Sequence, residues 1–337
     1  MTLRHHSLSI RGIHISDDGQ NLFTISADKS IKAVNSSGSV FLNYEDAHNS
    51  AINKFLFLSE NEIATGDDDG VIKLWDVRTN SNVMQFNKHQ DFISGLCYNS
   101  ENSTLLSVSG DCTLCAYDLR NSNITHQSDE QESEFTSIEL IKGNRKVICG
   151  NQEGVLLLFS WNRWGDCSDR YPGHPDCIEC LNKIDESTVL TGSGDGLIRV
   201  ISIQPNKILG VIGDHDNFPV EGLRQNHDGK ILVSFSHDEI IRFWDISMFL
   251  DSEDDDENEC NDESDAMMIN DDDDDDDDDD DGSSSSSSSK KSNDNVHNEN
   301  DDSENDDSDS DESNMSGAQN NPPKRYLSSR EKFYSDL

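Results

Sequence analysis

A repeat of about 42 residues constrains the fold of this chain more than any other feature of the sequence. Six segments share an acidic turn residue that is followed, seven positions later, by the end of a strand. The turn acids lie 41, 42, 42, 42 and 43 residues apart, and they are Asp28, Asp69, Asp111, Glu153, Asp195 and Asp238. This period is typical of a four-stranded propeller blade. The sequence therefore predicts an all-β propeller with six recognisable blades.

Histidines recur in phase with the turn acids. Five of the six units carry one 21–23 residues before the acid, and these are His6, His48, His89, His174 and His215. The histidine falls in the loop before the innermost strand and the acid falls between the second and third strands, so that folding brings the two together. We predict five hydrogen-bonded pairs: His6 with Asp28, His48 with Asp69, His89 with Asp111, His174 with Asp195, and His215 with Asp238.

Each predicted pair belongs to a larger polar network. A hydroxyl on the second strand, for which Thr65, Ser107 and Thr191 are candidates, and the tryptophan of the third strand can extend it. Buried networks of this kind fix geometry when every donor and acceptor is satisfied. Because the pattern repeats in blade after blade, we interpret it as architecture and not as acid–base catalysis.

Composition divides the chain near residue 250. Residues 251–337 contain 33 acidic and 6 basic residues, including the uninterrupted run Asp271–Asp281, within a formal net charge of −42 for the whole chain. Such a segment has too few apolar residues to offset its ordering entropy, and we predict that it is disordered. The propeller is assigned to residues 1–250, with repeats at about 5–44, 45–85, 86–125, 126–170, 171–211 and 212–250.

Several classes of function are disfavoured by the sequence. It contains no G-x-S-x-G, Walker A or H-E-x-x-H motif, so we predict no enzymatic activity and no cofactor. The pairs Cys112/Cys115 and Cys177/Cys180 lie about 60 residues apart in different blades, and we interpret them as strand residues and not as a zinc site.

No run approaches the roughly 20 apolar residues of a membrane span. The negative charge opposes binding to nucleic-acid phosphates. We expect an intracellular monomer that binds proteins.

Three groups of residues are candidates for partner binding. Arg78 ends the sequence Trp75-Asp-Val-Arg78, and Arg120 follows Asp118 in a weaker echo of it. Trp161, Arg163 and Trp164 either pack against the next blade or form an exposed contact point. Phe333 and Tyr334 restore aromatic character after the acidic run, and we interpret them as a short docking peptide.

The repeats resemble one family of WD40 proteins in particular, the WD repeat-containing protein 55 family, over about residues 5–250. The resemblance lies in Ile63–Gly70 with Trp75-Asp76, Gly150–Gly154, Phe159–Asn162, Ser168–Arg170, Leu190–Arg199, Gln204–Asn206, Gly210–Gly213, Pro219–Glu221, and Ser236–Asp238 with Phe243–Asp245. It implies a non-enzymatic scaffold of the nucleus, mainly of the nucleolus, that acts in ribosomal RNA production and ribosome biogenesis, with the cytoplasm as a second location.

The sequence leaves two alternatives for the number of blades. The resembled family has seven blades, with a complete blade ahead of the unit that here begins at about His6, and this chain begins inside that preceding unit. Only Met1–Arg4 is available to close the ring, and three or four residues make a marginal strand. The alternatives are a six-bladed ring closed by that segment and a seven-bladed protein without its first blade, and the short segment favours the second.

Two other functions compete with the scaffold. A substrate receptor of a cullin-type ubiquitin ligase would use the Trp-Asp-x-Arg sequence that ends at Arg78. A chaperone of histones or ribosomal proteins would use the acidic tail, whose field reaches only about 8 Å at physiological salt and therefore requires basic partners that approach closely.

Overall fold

The computed structural model describes residues 4–249, apart from residues 17, 80 and 122. These residues form six antiparallel sheets, here called blades 1 to 6 in chain order. Blade 1 consists of β1 Ile10–Ile15, β2 Asn21–Ser26, β3 Ile31–Asn35 and β4 Val40–Tyr44. Blade 2 consists of β5 Ile52–Ser59, β6 Glu62–Asp67, β7 Val71–Asp76 and β8 Ser81–Asn87. Blade 3 consists of β9 Ile93–Asn99, β10 Thr104–Ser109, β11 Leu114–Asp118 and β12 Asn123–Gln127.

Blade 4 consists of β13 Phe135–Ile141, β14 Lys146–Asn151, β15 Val155–Ser160 and β16 Asp169–Pro172. Blade 5 consists of β17 Ile178–Lys183, β18 Thr188–Ser193, β19 Leu197–Ser202 and β20 Lys207–Asp214. Blade 6 consists of β21 Val220–Gln225, β22 Ile231–Ser236 and β23 Ile241–Asp245. A single 3₁₀ turn, Ser247–Phe249, is the only helical element among the described residues. It is neither long nor apolar enough to cross a bilayer. The predicted all-β propeller with six blades is confirmed.

The repeated turn between the second and third strands has one backbone conformation in all six blades. The residue after each turn acid has a positive φ of 61–83°, and these residues are Lys29, Gly70, Cys112, Gly154, Gly196 and Glu239. Glycine adopts this left-handed conformation without steric cost, whereas a residue with a Cβ is strained there. At Gly70 a Cβ would also lie 2.7 Å from the carbonyl oxygen of His89. The turn acid marks the repeat because it precedes this turn.

The cores lie between blades, because each third strand packs on the following blade. In blade 2, Ile72 and Leu74 of β7 are 0% and 6% exposed and lie in one apolar cluster with Ile93 and Leu105 of blade 3. A sheet of this type buries both of its faces only when it has a neighbour on each side. Stacking the blades therefore builds the core, and no single blade holds it.

Blade 6 differs from this pattern. Its β23 carries Ile241 and Phe243, which occupy the repeat positions of Ile72 and Leu74, yet they are 62% and 70% exposed. Strand packing joins each blade to the next from blade 1 to blade 6, and no comparable strand packing joins blade 6 to blade 1 in the described part of the chain. On the opposite side of that gap, Ile13 and Ile15 of β1 are 62% and 59% exposed.

Two predictions fall partly or wholly outside the described residues. Of the proposed closing segment, only Arg4 is described, and it belongs to no strand. The acidic tail, with Phe333 and Tyr334, lies outside the described residues altogether. The closure by Met1–Arg4 and the nature of the tail therefore stay predictions.

Candidate functional site: polar networks and exposed arginines

A four-member chain of hydrogen bonds crosses blade 2. Trp75 Nε1 donates to Thr65 Oγ1 over 2.8 Å, and Thr65 Oγ1 lies 2.7 Å from His48 Nε2. His48 Nδ1 lies 2.8 Å from a carboxylate oxygen of Asp67. With the proton on Nδ1, the ring donates to the carboxylate and accepts the threonine proton, so that all four groups are satisfied. The histidine, threonine and aspartate are almost completely buried, and the chain fixes the loop before β5 onto the second strand.

The partner of His48 differs from the prediction, which paired this histidine with Asp69. Asp69 is exposed, and its backbone N–H donates to Asp67 Oδ1 over 3.1 Å. Asp67 occupies the last position of β6, and its Oδ1 also accepts the N–H of Val71 over 2.8 Å. Because Asp67 both accepts from the histidine and caps the turn, it takes the role that the repeat register assigned to the residue two positions later.

Three predicted pairs are brought together by the structure. His6 Nδ1 lies 3.0 Å from Asp28 Oδ2, and His89 Nδ1 lies 2.9 Å from Asp111 Oδ2.

In the third of these pairs, His215 Nδ1 lies 2.7 Å from Asp238 Oδ2. In this blade Ser234 Oγ lies 2.7 Å from His215 Nε2 and accepts from Trp244 Nε1 over 2.8 Å. Blade 6 therefore repeats the complete chain of blade 2, with serine in place of threonine.

The predicted pair in blade 5 is absent, because an arginine takes the acid. Asp195 Oδ1 accepts from Arg199 Nη1 over 3.0 Å, and Arg199 is 7% exposed. His174 Nε2 lies 2.8 Å from Thr191 Oγ1, but its buried Nδ1 has no hydrogen-bond partner among the residues that the structure describes. Burial, helped by the nearby Arg199 guanidinium, lowers the pKa of His174 to about 4. This ring therefore stays neutral inside the blade at neutral pH.

The sequence does contain a signal for this exchange. Four residues after the turn acid, blades 1, 2, 5 and 6 carry a base: Lys32, Lys73, Arg199 and Arg242. The lysines donate to carbonyl oxygens of the loop before the innermost strand, Lys32 to His5 and Lys73 to Ala47. The arginines reach the turn acid of their own blade. Arg242 also donates to the carbonyl oxygen of Asp214 and leaves the His215–Asp238 pair intact, so an arginine at this position can compete with the histidine but displaces it only in blade 5.

Arg78 and Arg120 have the same geometry on adjacent blades. Arg78 donates through Nε and Nη2 to the two carboxylate oxygens of Asp76 over 3.1 and 2.8 Å. Arg120 donates in the same way to Asp118 over 2.9 Å for both bonds. The hydrogen bonds from these arginines hold the pKa values of Asp76 and Asp118 at about 2. Both arginine side chains nevertheless remain 66% and 62% exposed, so that each presents an ordered cation to solvent.

A shallow cleft of about 200 Å³ lies next to Arg120, between blades 2 and 3. It is lined by Glu62, Leu74, Trp75, Val83, Met84, Tyr98, Ser103, Leu119 and Arg120. An apolar floor bordered by a fixed cation suits a protruding apolar side chain that carries an acceptor group beside it.

The two tryptophans of blade 4 do not behave alike. Trp164 is 4% exposed and belongs to the apolar cluster between blades 3 and 4, so it cannot contact a partner as the prediction allowed. Trp161 packs on that cluster, edge to face with Trp164 at 5.0 Å between ring centroids. Arg163 is exposed in the turn that joins them. The tryptophans therefore pack, but on the preceding blade and their own blade and not on the next blade as predicted, and Arg163 is exposed to solvent.

Comparison with known proteins agrees with this architecture. The WDR55 family model matches residues 1–249. WD repeat-containing protein 55 of Arabidopsis thaliana is 41% identical over 251 residues, which cover 74% of this chain and 71% of that protein. The human protein of the same name is 37% identical over 245 residues, which cover 72% of this chain and 64% of the human protein. This chain therefore spans less than two thirds of the human relative.

Two further relatives extend the comparison. WD repeat-containing protein JIP5 of Coprinopsis cinerea is 37% identical over 269 residues, which cover 77% of this chain and 66% of that protein. Among solved structures, the computationally designed Ika8 protein superposes with a TM-score of 0.59 at 24% identity and covers 73% of each chain, a likeness that concerns the fold alone.

The six blades, their in-phase turns and their histidine–hydroxyl networks define a WD40-repeat β-propeller, a class of protein that serves as a scaffold for protein–protein interaction. Within that class, the chain belongs to the WDR55 family.

Proposed function

We propose that this chain is a non-enzymatic scaffold that binds proteins in the nucleolus and takes part in ribosomal RNA production and ribosome biogenesis. The observation that best supports a scaffold function is the set of buried polar networks. The loops before β5, β9 and β21 are fixed to their blades through His48, His89 and His215. Loops that are already ordered lose little conformational entropy when a partner binds. These loops therefore present a preorganised surface.

The nucleolar part of the proposal is supported by the resemblance of the repeats and by the charge of residues 251–337. Basic proteins are abundant among ribosome precursors, and 33 acidic residues in one segment suit such partners. We expect the protein in the nucleus and nucleolus, with a cytoplasmic pool as a second location. An exclusively cytoplasmic distribution of the tagged full-length protein would contradict this part of the proposal.

Partner capture from nuclear extract tests the function directly. The bait is the full-length chain, and its matched control carries asparagine in place of each aspartate in Asp271–Asp281. Each is used at two salt concentrations. We expect precursor-ribosome components on both baits, because the propeller is the scaffold. If they copurify with neither bait, the ribosomal assignment is wrong. If they are lost from the asparagine bait and at high salt, the acidic segment acts as a chaperone and the propeller does not carry binding.

A second candidate function is a substrate receptor of a cullin-type ubiquitin ligase. The observation in its favour is the matched pose of Arg78 and Arg120, each clamped by an aspartate two residues earlier and each exposed. Capture of the ligase adaptor by the full-length chain and its loss on Arg78→Ala would support this function. Arg163→Ala, which removes an exposed arginine that lacks such a clamp, is the matched control.

A further inference from the structure

Within the described residues the last blade has three strands, whereas each of the other five blades has four. In blades 1 to 5 an outer strand pairs with the third strand, and these outer strands are β4, β8, β12, β16 and β20. In blade 6 the described sheet ends at β23, which has no strand on its outer side within the described residues. Such an edge presents a row of backbone N–H and C=O groups that an extended segment can pair with.

Apolar side chains accompany this open edge. Ile241 and Phe243 are 62% and 70% exposed, and Phe235, which pairs with Ile241 in the register, is 45% exposed. In blade 5 the corresponding third-strand residues, Ile198 and Val200, are fully buried. An extended segment that binds this edge can therefore gain both backbone hydrogen bonds and apolar contacts.

An outer strand needs little apolar character. β4 buries only Leu42 and Tyr44, two residues apart, and β8 buries only Phe86. The remaining side chains of both strands are partly or fully exposed. A polar segment with one or two large apolar residues at alternate positions therefore satisfies the requirements of the missing strand.

One segment of this chain has that composition. The only aromatic residues of 251–337 are Tyr326, Phe333 and Tyr334. Residues 326–337 contain two acidic and two basic residues and have no net charge, unlike the strongly acidic sequence that precedes them. The 76 residues between Phe249 and Tyr326 are long enough to let this segment reach any part of the blade.

We propose that Glu331–Leu337 pairs with β23 of the same molecule and forms the outer strand of blade 6. Alternation places Phe333 and Leu337 on one face of the strand, the face of Ile241 and Phe243, where aromatic and β-branched cross-strand pairs are favourable. The tether gives the segment a high effective concentration at this edge, which a separate polypeptide lacks. Phe333 therefore docks within the chain.

Hydrogen exchange of the full-length protein tests this pairing. In the wild-type chain we expect the amides of 241–245 to be protected independently of protein concentration. Phe333→Asp should speed their exchange at least tenfold, because it breaks the apolar contact that holds the strand. Leu327→Asp, which places the same charge outside the proposed strand, should leave the exchange unchanged. The amides of β5–β7 in blade 2 serve as an internal reference for global unfolding.

Addition of a synthetic peptide of residues 326–337 separates pairing from misfolding. The peptide should restore protection of 241–245 in the Phe333→Asp chain, and a scrambled peptide should not. Equal protection in the wild type and in Phe333→Asp would overturn the proposal, since another segment, such as Met1–Leu3, would then cover the edge. Fast exchange in both chains would show an open edge and would also overturn it. Protection that rises with protein concentration would assign the strand to a second copy instead.

Discussion

Blades 2 and 6 contain the same polar network and differ completely in the burial of their third strands. The histidine, hydroxyl and tryptophan groups lie at matching distances of 2.7–2.8 Å in both. Leu74 is 6% exposed, whereas its counterpart Phe243 is 70% exposed. The network needs only residues of one blade, and it forms wherever those residues occur. Burial of the third strand requires a neighbouring blade, and it is lost where that neighbour is lacking.

The largest effect is expected when these third-strand positions are truncated. Leu74→Ala should lower the free energy of unfolding by about 2–4 kcal/mol, because it leaves a cavity in a packed core. Phe243→Ala should lower it by less than Leu74→Ala does, because no neighbouring blade covers this side chain in the described structure and only the proposed outer strand would contact it. Urea titration of the two variants and the wild type measures both. Similar losses in the two variants would show that the surface of blade 6 is covered in solution.

A smaller effect, equal in the two blades, is expected from the centre of the network. Thr65→Val and Ser234→Ala each leave a buried histidine nitrogen and a tryptophan N–H without their partner. Each should cost about 2 kcal/mol of unfolding free energy. The exposed Ser36→Ala is the control and should change little. A cost confined to Thr65→Val would mean that the network of blade 6 depends on its surroundings after all.

Blade 5, in which the histidine has no acidic partner, should make the stability of the protein depend on pH. Burial lowers the pKa of His174 to about 4, below the ordinary histidine value of about 6.5. The neutral ring therefore contributes stability that is complete above about pH 6.5 and is lost as the pH falls toward 4. We expect His174→Gln to remove roughly 2 kcal/mol of this pH dependence, measured by thermal unfolding between pH 4 and 7. The exposed His126→Gln should retain it.

The smallest effect is expected at the repeated turn. Glu239 has a φ of +61° at the position where Gly70, Gly154 and Gly196 occur in other blades. Glu239→Gly should raise the unfolding free energy by up to about 1 kcal/mol through relief of backbone strain. Glu153→Gly, a neighbour of Gly154 with ordinary φ, is the control and should not stabilise. A loss of stability in Glu239→Gly would show that the glutamate side chain makes a compensating contact.

Periodicity predicted most of the fold because each blade is specified locally. The turn acids and histidines gave the blade number within the described residues, and three of the five histidine–acid pairs occur as expected. The two exceptions have local competitors. Asp67 ends its strand two residues before the expected acid, and Arg199 reaches Asp195 from the same strand. The repeat register alone cannot tell which of two nearby carboxylates will bind the histidine. Nor can it tell whether an imidazole or a guanidinium will bind the turn acid, because these groups meet only after folding.

Partner-binding candidates were harder to predict, because the exposure of a side chain depends on how neighbouring blades pack around it. Trp161 and Trp164 are close in sequence and have similar composition around them, yet Trp164 is buried by residues from blade 3. The two clamped arginines were easier, since an aspartate two positions earlier holds each of them locally.

The absence of strand packing between blades 6 and 1 in the described residues has a consequence for how the molecule comes apart. A closed ring has no terminal unit, whereas a stack of blades has two, and each terminal unit is held by one neighbour only. Unfolding should then proceed by fraying from the ends, with blade 6 opening before blades 3 and 4. The rate of amide hydrogen exchange should be lowest in the middle blades and should rise toward both terminal blades. Mechanical extension should unfold the terminal blades at the lowest force.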